Sequence, residues 1–277
     1  LATPSLFTIY RKPPRLGNTL VIGVSQSGES PDVVEVVGEA RRQGCRTLAI
    51  TNAATSPLAA ASEHQLVLGI PSERAVAATG TYTATLLAFA LLSAAMRGSS
   101  ADIVALRRIP HAVEETVADA FARIGRIRSD ALPLTATWTV LGRGFCYGTG
   151  FETALKLKEV AQVAAESSSP ADFLHGPIAA AGRGSAAMLI APRGRTLPEM
   201  KVLASRLIDR EVSVVAASND DGLVASLPTA FRLPRVPEWL SPLTAIVPGQ
   251  VMALEMARRR GLDPDRPRAL EKITRTF

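Results

Sequence analysis

The feature that most restricts the fold is a series of short apolar runs without polar alternation, each followed by a stretch of helical periodicity. The runs fall at 20–24, 47–51, 65–68, 137–141, 187–191, 213–217 and 230–233. The helical stretches fall at 31–43, 57–61, 75–96, 103–130, 150–165, 196–209 and 244–260. A strand with one wet face alternates apolar and polar residues, whereas a strand apolar throughout is covered on both faces. Helices between such strands supply the crossovers that parallel neighbours require. The pattern predicts an α/β chain of doubly wound parallel sheets.

The spacing repeats. The run ending at Ser25 is followed by one ending at Asn52, and the run ending at Pro192 by one ending at Asn219, 27 positions on in each case. A short run and a long helix follow each pair. Two similar subdomains in tandem are therefore expected, 1–130 with the linking helix and 131–277 with the C-terminal tail. The second has an additional first strand, 137–141, whose counterpart would precede Leu1. The first subdomain is accordingly expected to lack its N-terminal strand-helix unit.

Composition narrows the function. Hydrophobic residues make up 47% of the 277 and charged residues 20%, which suits buried cores and excludes disorder. No apolar run reaches the ~18–20 residues that span a bilayer. The net charge of +6 is dispersed, and its densest run, Arg258-Arg259-Arg260, closes a helix where cations complement the dipole. That balance fits a small anionic substrate and not nucleic acid. Two cysteines, Cys45 and Cys146, offer no disulfide framework, so a cytoplasmic protein is expected. His64, His111 and His175 have no metal-ligand spacing, and neither metal nor organic cofactor is expected. The glycines from Gly142 to Gly148 match a dinucleotide fingerprint only loosely, with no acidic residue to follow at the required distance.

Chemistry is concentrated in two places. At the end of the first run stands Ser25-Gln26-Ser27-Gly28-Glu29-Ser30, with Pro31 opening a helix. Ser30 reads as an N-cap. Amides, hydroxyls and the positive helix end then converge beyond the strand's carboxyl end, where open α/β sheets bind ligands. Phosphate suits such a cradle. Further on, Glu152, Lys156 and Glu159 lie at i, i+4 and i+7, on one stripe bordered by Leu155, Val160 and Val163. Such spacing often marks a salt-bridged solvent face. The apolar border instead points to the wall of a cleft, where a carboxylate beside a lysine can move a proton between adjacent carbons. His175, on a tight His-Gly-Pro loop, is a further candidate.

Five segments, SQSGES, ERAVAATGTYTATLLAFALL, ETALKLKEVA, FLHGP and DPDRPRALEKITRTF, together resemble the sugar isomerase (SIS) family over essentially the whole chain. The likeness is to the isomerase half of glucosamine-6-phosphate synthase and to stand-alone amino-sugar-phosphate deaminases/isomerases. The resemblance implies a sugar 6-phosphate held by Ser25, Gln26, Ser27 and Ser30. It implies Glu159 as the base between C1 and C2, Lys156 and Glu152 lining the site, and His175 assisting ring opening from the neighbouring subunit of a homodimer. Lys272 matches a lysine that can form a Schiff base with an open-chain ketose. Gly80 stands where the family often has Lys, and Leu174 where a basic residue usually precedes the histidine. The chain carries no glutaminase segment with its leading cysteine, so deamination is the expected direction. Alternatives are a synthase-type, ketose or fructosamine-phosphate enzyme of the same fold, or a non-catalytic sugar-phosphate sensor.

Overall fold

An apolar strand gains most when its edges are paired and both faces are covered, and the run at 186–190 achieves both. The computed structural model describes residues 3–127, 132–134, 136–270 and 272. Its strands form two all-parallel sheets. The first part of the chain contributes α1 (Ser5–Thr8), β1 (Leu20–Val24), α2 (Pro31–Arg42), β2 (Arg46–Thr51), α3 (Pro57–Ala61), β3 (His64–Val67) and α4 (Gly80–Arg97). Then follow α5 (Ser100–Arg107), α6 (Ile109–Ile124), β4 (Trp138–Gly142), α7 (Tyr147–Glu159), β5 (Ala165–Ser168) and α8 (Pro170–Leu174). The last part holds β6 (Ala186–Ile190), α9 (Leu197–Asp209), β7 (Ser213–Ser218), α10 (Asp221–Ser226), β8 (Thr229–Arg232) and α11 (Ser241–Arg259). The sheets run β1-β2-β3 and β5-β4-β6-β7-β8.

The repeat read from spacing is present as register. Leu20 pairs with Arg46 and Ala186 with Ser213, first residue to first residue. Leu48 pairs with His64 and Val215 with Thr229, third residue to first. β1, β2 and β3 therefore correspond to β6, β7 and β8. β4 and β5 are additional to the second sheet, on the far side of β6, and every residue of β6 is buried. β1 is an edge strand, with Leu20 46% and Val24 39% exposed.

By packing, the chain divides into two compact units, one reaching Phe89 and joined by the described residues from Ala269 onward, the other Ala90–Arg268. α6 packs on α11 and β8, which places the linking helix with the second sheet. Residue 130, the boundary expected from the sequence, lies outside the described residues.

The largest departures from the expected helix spans have identifiable reasons. The helix expected at 103–130 is two, α5 and α6, with Pro110 in the first turn of α6 removing an amide the helix interior would need. Residues 128–130 of that span lie outside the described residues. The helix expected at 150–165 starts at Tyr147 and ends at Glu159. Beyond it, Ala165–Ser168 pairs with β4, a strand of sequence Ala-Glu-Ser-Ser that no apolar run announces.

The helix expected at 75–96 starts instead at Gly80. Glu73 fixes that start. Its carboxylate accepts hydrogen bonds from the amides of Thr79 (2.9 Å), Gly80 (2.7 Å) and Thr81 (3.3 Å), and from the hydroxyls of Thr79 and Thr81. First-turn amides have no partner within a helix, and the positive end favours an anion. Burial works to raise the Glu73 pKa, but the Thr81 hydroxyl and the amides of Thr79, Gly80 and Thr81 outweigh it and hold the group below its ordinary value.

Glu73→Ala should destabilise the first unit by about 1 kcal/mol, the usual cost of a lost helix cap. Because the folded pKa is depressed, that contribution is present above the unfolded carboxylate pKa and is lost as pH falls through the folded value. Urea midpoints of wild type and variant should therefore differ at about pH 7 and draw together as pH falls below the ordinary carboxylate range. A gap independent of pH would show that the charge has no part in it.

Candidate active site

In the first unit, the loop after β1 is organised by its own serines. Ser25 Oγ accepts from the Gly28 amide at 3.1 Å, and Ser27 Oγ from the Glu29 amide at 3.2 Å. Each hydroxyl is thereby oriented and keeps its proton for another acceptor. The Gln26 carbonyl is held by the Asn52 amide (3.0 Å) and the Thr51 hydroxyl (3.1 Å), so β2 anchors the loop's base. Gly28 has φ +66°, and a Cβ there would lie 2.1 Å from Ser56 Oγ, so only glycine fits. Ser30 is the N-cap residue of α2, yet its side chain makes no cap hydrogen bond, and its hydroxyl is not spent on its own helix. Ser25, Gln26, Ser27 and Ser30 are all half-buried in one cradle at the helix's positive end.

Lys272 belongs to the same unit. Its ammonium donates to the Ala75 carbonyl at 2.6 Å, in the loop between Glu73 and α4. Gly80, the first residue of α4, puts its amide on Glu73.

In the second unit, α7 carries Glu152, Lys156 and Glu159, and the structure brings all three together. Lys156 Nζ lies 2.5 Å from Glu159 Oε2 and 3.5 Å from Glu152 Oε1. Side-chain exposure is 4% for Lys156, 12% for Glu152 and 24% for Glu159. The stripe is therefore no solvent face. A buried ammonium is tolerated only with its charge compensated, and two carboxylates compensate it here while Glu159 keeps partial access. An accessible carboxylate held by a buried lysine is an arrangement suited to proton transfer.

His175 ends α8, exposed, with its imidazole lacking a side-chain partner among the described residues. Both cysteines are buried. Burial pushes the Cys146 thiol up to about 11, although Ser241 and Thr149 offer hydrogen bonds that oppose it. A thiol in that state is a poor nucleophile. Among the described residues no group of His, Cys, Asp and Glu could hold a metal ion, and no helix is long and apolar enough to cross a membrane.

Sequence reasoning does not single out Glu73 or Glu238. Each stands six residues after the last residue of the third strand of its repeat, Val67 and Arg232. The repeat itself is the signal that finds them.

Two parallel sheets, a serine loop at a helix N-terminus and a Glu-Lys-Glu cluster around a buried lysine define an α/β protein with two polar centres. The model of the SIS domain matches residues 17–95 and 137–258, and the chain belongs to that family. It is 35% identical over 274 residues to the glutamine–fructose-6-phosphate aminotransferase [isomerizing] of Gloeobacter violaceus, covering 95% of this chain and 45% of that protein. The chain thus spans less than half the length of the curated relatives it matches. Glucosamine-6-phosphate deaminase from Thermotoga maritima shares the fold, with a TM-score of 0.83 and 23% identity over 99% of this chain and 80% of that one. So does tagatose-6-phosphate ketose/aldose isomerase from Escherichia coli, with a TM-score of 0.76 and 21% identity over 96% and 76%.

Lys156→Ala leaves two half-buried carboxylates without their counter-charge. It should lower the stability of the second unit by about 3–5 kcal/mol in chemical denaturation. Adding Glu152→Gln and Glu159→Gln should recover part of the loss. A triple variant no more stable than Lys156→Ala would show that the cluster's charges are not coupled.

Proposed function

We propose that this chain is an amino-sugar 6-phosphate deaminase/isomerase, converting glucosamine 6-phosphate and water to fructose 6-phosphate and ammonia. The observation that carries this reading is the buried Lys156 holding a partly accessible Glu159. In the open-chain substrate, the C1 aldehyde acidifies the C2 proton. Glu159 removes that proton and returns it to C1, and the resulting C2 imine takes up water and releases ammonia. Lys156 fixes the carboxylate by a short hydrogen bond, and Glu152 balances the second charge. Ser25, Gln26, Ser27 and Ser30 hold the phosphate. His175 moves the proton needed for ring opening. Lys272, whose ammonium now rests on a backbone carbonyl, is the amine available to an open-chain ketose. The chemistry uses the substrate's own carbonyl, and neither of the buried cysteines serves as a nucleophile.

The 35% identity to an isomerizing aminotransferase favours a second reading, in which the same proton transfer runs from fructose 6-phosphate toward the amino sugar. Both readings share Glu159. A ketose- or fructosamine-phosphate substrate, or a sensor that binds without turnover, would differ in the assay itself.

Glu159→Gln should cut ammonia release from glucosamine 6-phosphate about 1,000-fold with little change in KM. Galactosamine 6-phosphate, run in parallel, reads the preference at C4. Full turnover by Glu159→Gln would sink the assignment, and tight sugar-phosphate binding without turnover by wild type would favour the sensor.

The family pattern further supports a cytoplasmic homodimer in which His175 serves the neighbouring subunit's site. Glu159→Gln and His175→Ala chains, each inactive alone, should regain roughly a quarter of wild-type activity when mixed and allowed to exchange subunits. An active monomer in light scattering would refute the shared site.

A further inference from the structure

The two repeats carry loops of equal length at the same place, and a different side chain lies over the glycine of each: Ser56 over Gly28 and Glu238 over Gly194. The Ser25 amide donates to the Ile50 carbonyl (3.1 Å) and the Ala191 amide to the Ala217 carbonyl (2.9 Å), so Ala191 stands where Ser25 does. Each loop then runs six residues to the first residue of its helix, Pro31 or Leu197. Gly194 thus corresponds to Gly28, Arg195 to Glu29 and Thr196 to Ser30. Thr196, like Ser30, is an N-cap residue whose side chain makes no cap hydrogen bond.

What fills the two loops differs. In the first, the Glu29 amide is met by Ser27 Oγ. In the second, Arg193 replaces Ser27, and the Arg195 amide donates to Glu238 Oε1 at 2.9 Å. The carboxylate lies so close over Gly194 that a Cβ there would be 2.1 Å from Glu238 Oε1. An anionic group of the protein itself occupies the cradle. The counterpart of Glu238 is Glu73, six residues beyond its own third strand. Glu73 turns instead to the first turn of α4, and the side chain over Gly28 is the uncharged Ser56.

The neighbourhood of Glu238 suits an anion. Arg193 pairs with Asp220 at 3.4 Å, and the Arg195 guanidinium has no partner among the described residues. The second loop lacks the hydroxyls of Ser25 and Ser27 and, at Pro192, the amide of Gln26. Its remaining donors are the amides of Gly194 and Arg195, the Thr196 hydroxyl and the arginines.

We propose that Glu238 closes the second repeat's anion loop by placing its carboxylate in the seat over Gly194. Each chain then holds one phosphate, in the Ser25–Ser30 loop, and removing the Glu238 carboxylate opens a second oxyanion seat. The count of one rests on the functional reading above; the closure by Glu238 does not.

Equilibrium dialysis with orthophosphate at constant ionic strength tests this on wild type, Glu238→Ala and Glu238→Ala/Gly194→Val. The expected counts are one, two and one, since a valine side chain fills the vacated seat. Counts of none, one and none would uphold the closure and overturn phosphate binding by Ser25–Ser30. An unchanged count in Glu238→Ala overturns the closure and leaves the functional reading standing. A wild-type count of two overturns it as well, and so does a second phosphate that survives Gly194→Val. Glu238→Ala should also gain thermal stability from orthophosphate beyond the wild-type gain, by a few degrees. Failure of that variant to fold even in orthophosphate would count against phosphate taking the carboxylate's place.

Discussion

Parallel pairing is the constraint on which the rest depends. A parallel neighbour can be reached only by a crossover, so every strand of each sheet points the same way and all carboxyl ends gather at one edge. The loops that leave those ends, Ser25–Ser30 in one unit and Ala191–Thr196 in the other, each begin a helix whose positive end lies at the carboxyl edge of its own sheet. Covering both faces with helices is what makes the strands apolar throughout, as β6 is. Fold and chemistry thus have one origin.

Lys156, Glu73, Glu238 and Asp220, withdrawn from solvent wholly or in part, are each received by the backbone or an opposing side chain. Lys156, nearly inaccessible, lies between two carboxylates one turn away on either side. Glu73 is received by three amides at the start of α4, and Glu238 by one amide over a glycine. Asp220 shows the same rule, with Lys201 at 2.6 Å and the Leu223 amide at 2.9 Å, and these contacts hold its pKa below the ordinary value. The two repeats carry a carboxylate at the same distance beyond the third strand and a loop of the same length. Their use differs: a carboxylate lies over the glycine of the second loop and a serine hydroxyl over that of the first.

Much of this was legible in the sequence. β1 was expected at 20–24 and forms there, and the other apolar runs become strands within a residue or two. Ser30-Pro31 does begin a helix, because a proline at the first position needs no amide partner. β5 was invisible because its four residues are polar enough to read as loop, and only the neighbouring β4 makes them a strand. The start of α4 was misplaced by five residues because helical periodicity does not register an acceptor such as Glu73 lying outside the helix.

The sequence by itself determined the parallel α/β class, the tandem repeat, the serine loop and the spacing that puts Glu152, Lys156 and Glu159 on one stripe. Those properties are local: they depend on hydrophobic periodicity, capping and 3.6 residues per turn. The tertiary structure alone decided that the stripe is buried and not solvated, since its exposure depends on what packs beside α7. It also decided that Glu73 faces its own helix while Glu238 faces a loop more than forty residues earlier in the chain. Contacts between distant residues are set by packing, and no local pattern records them.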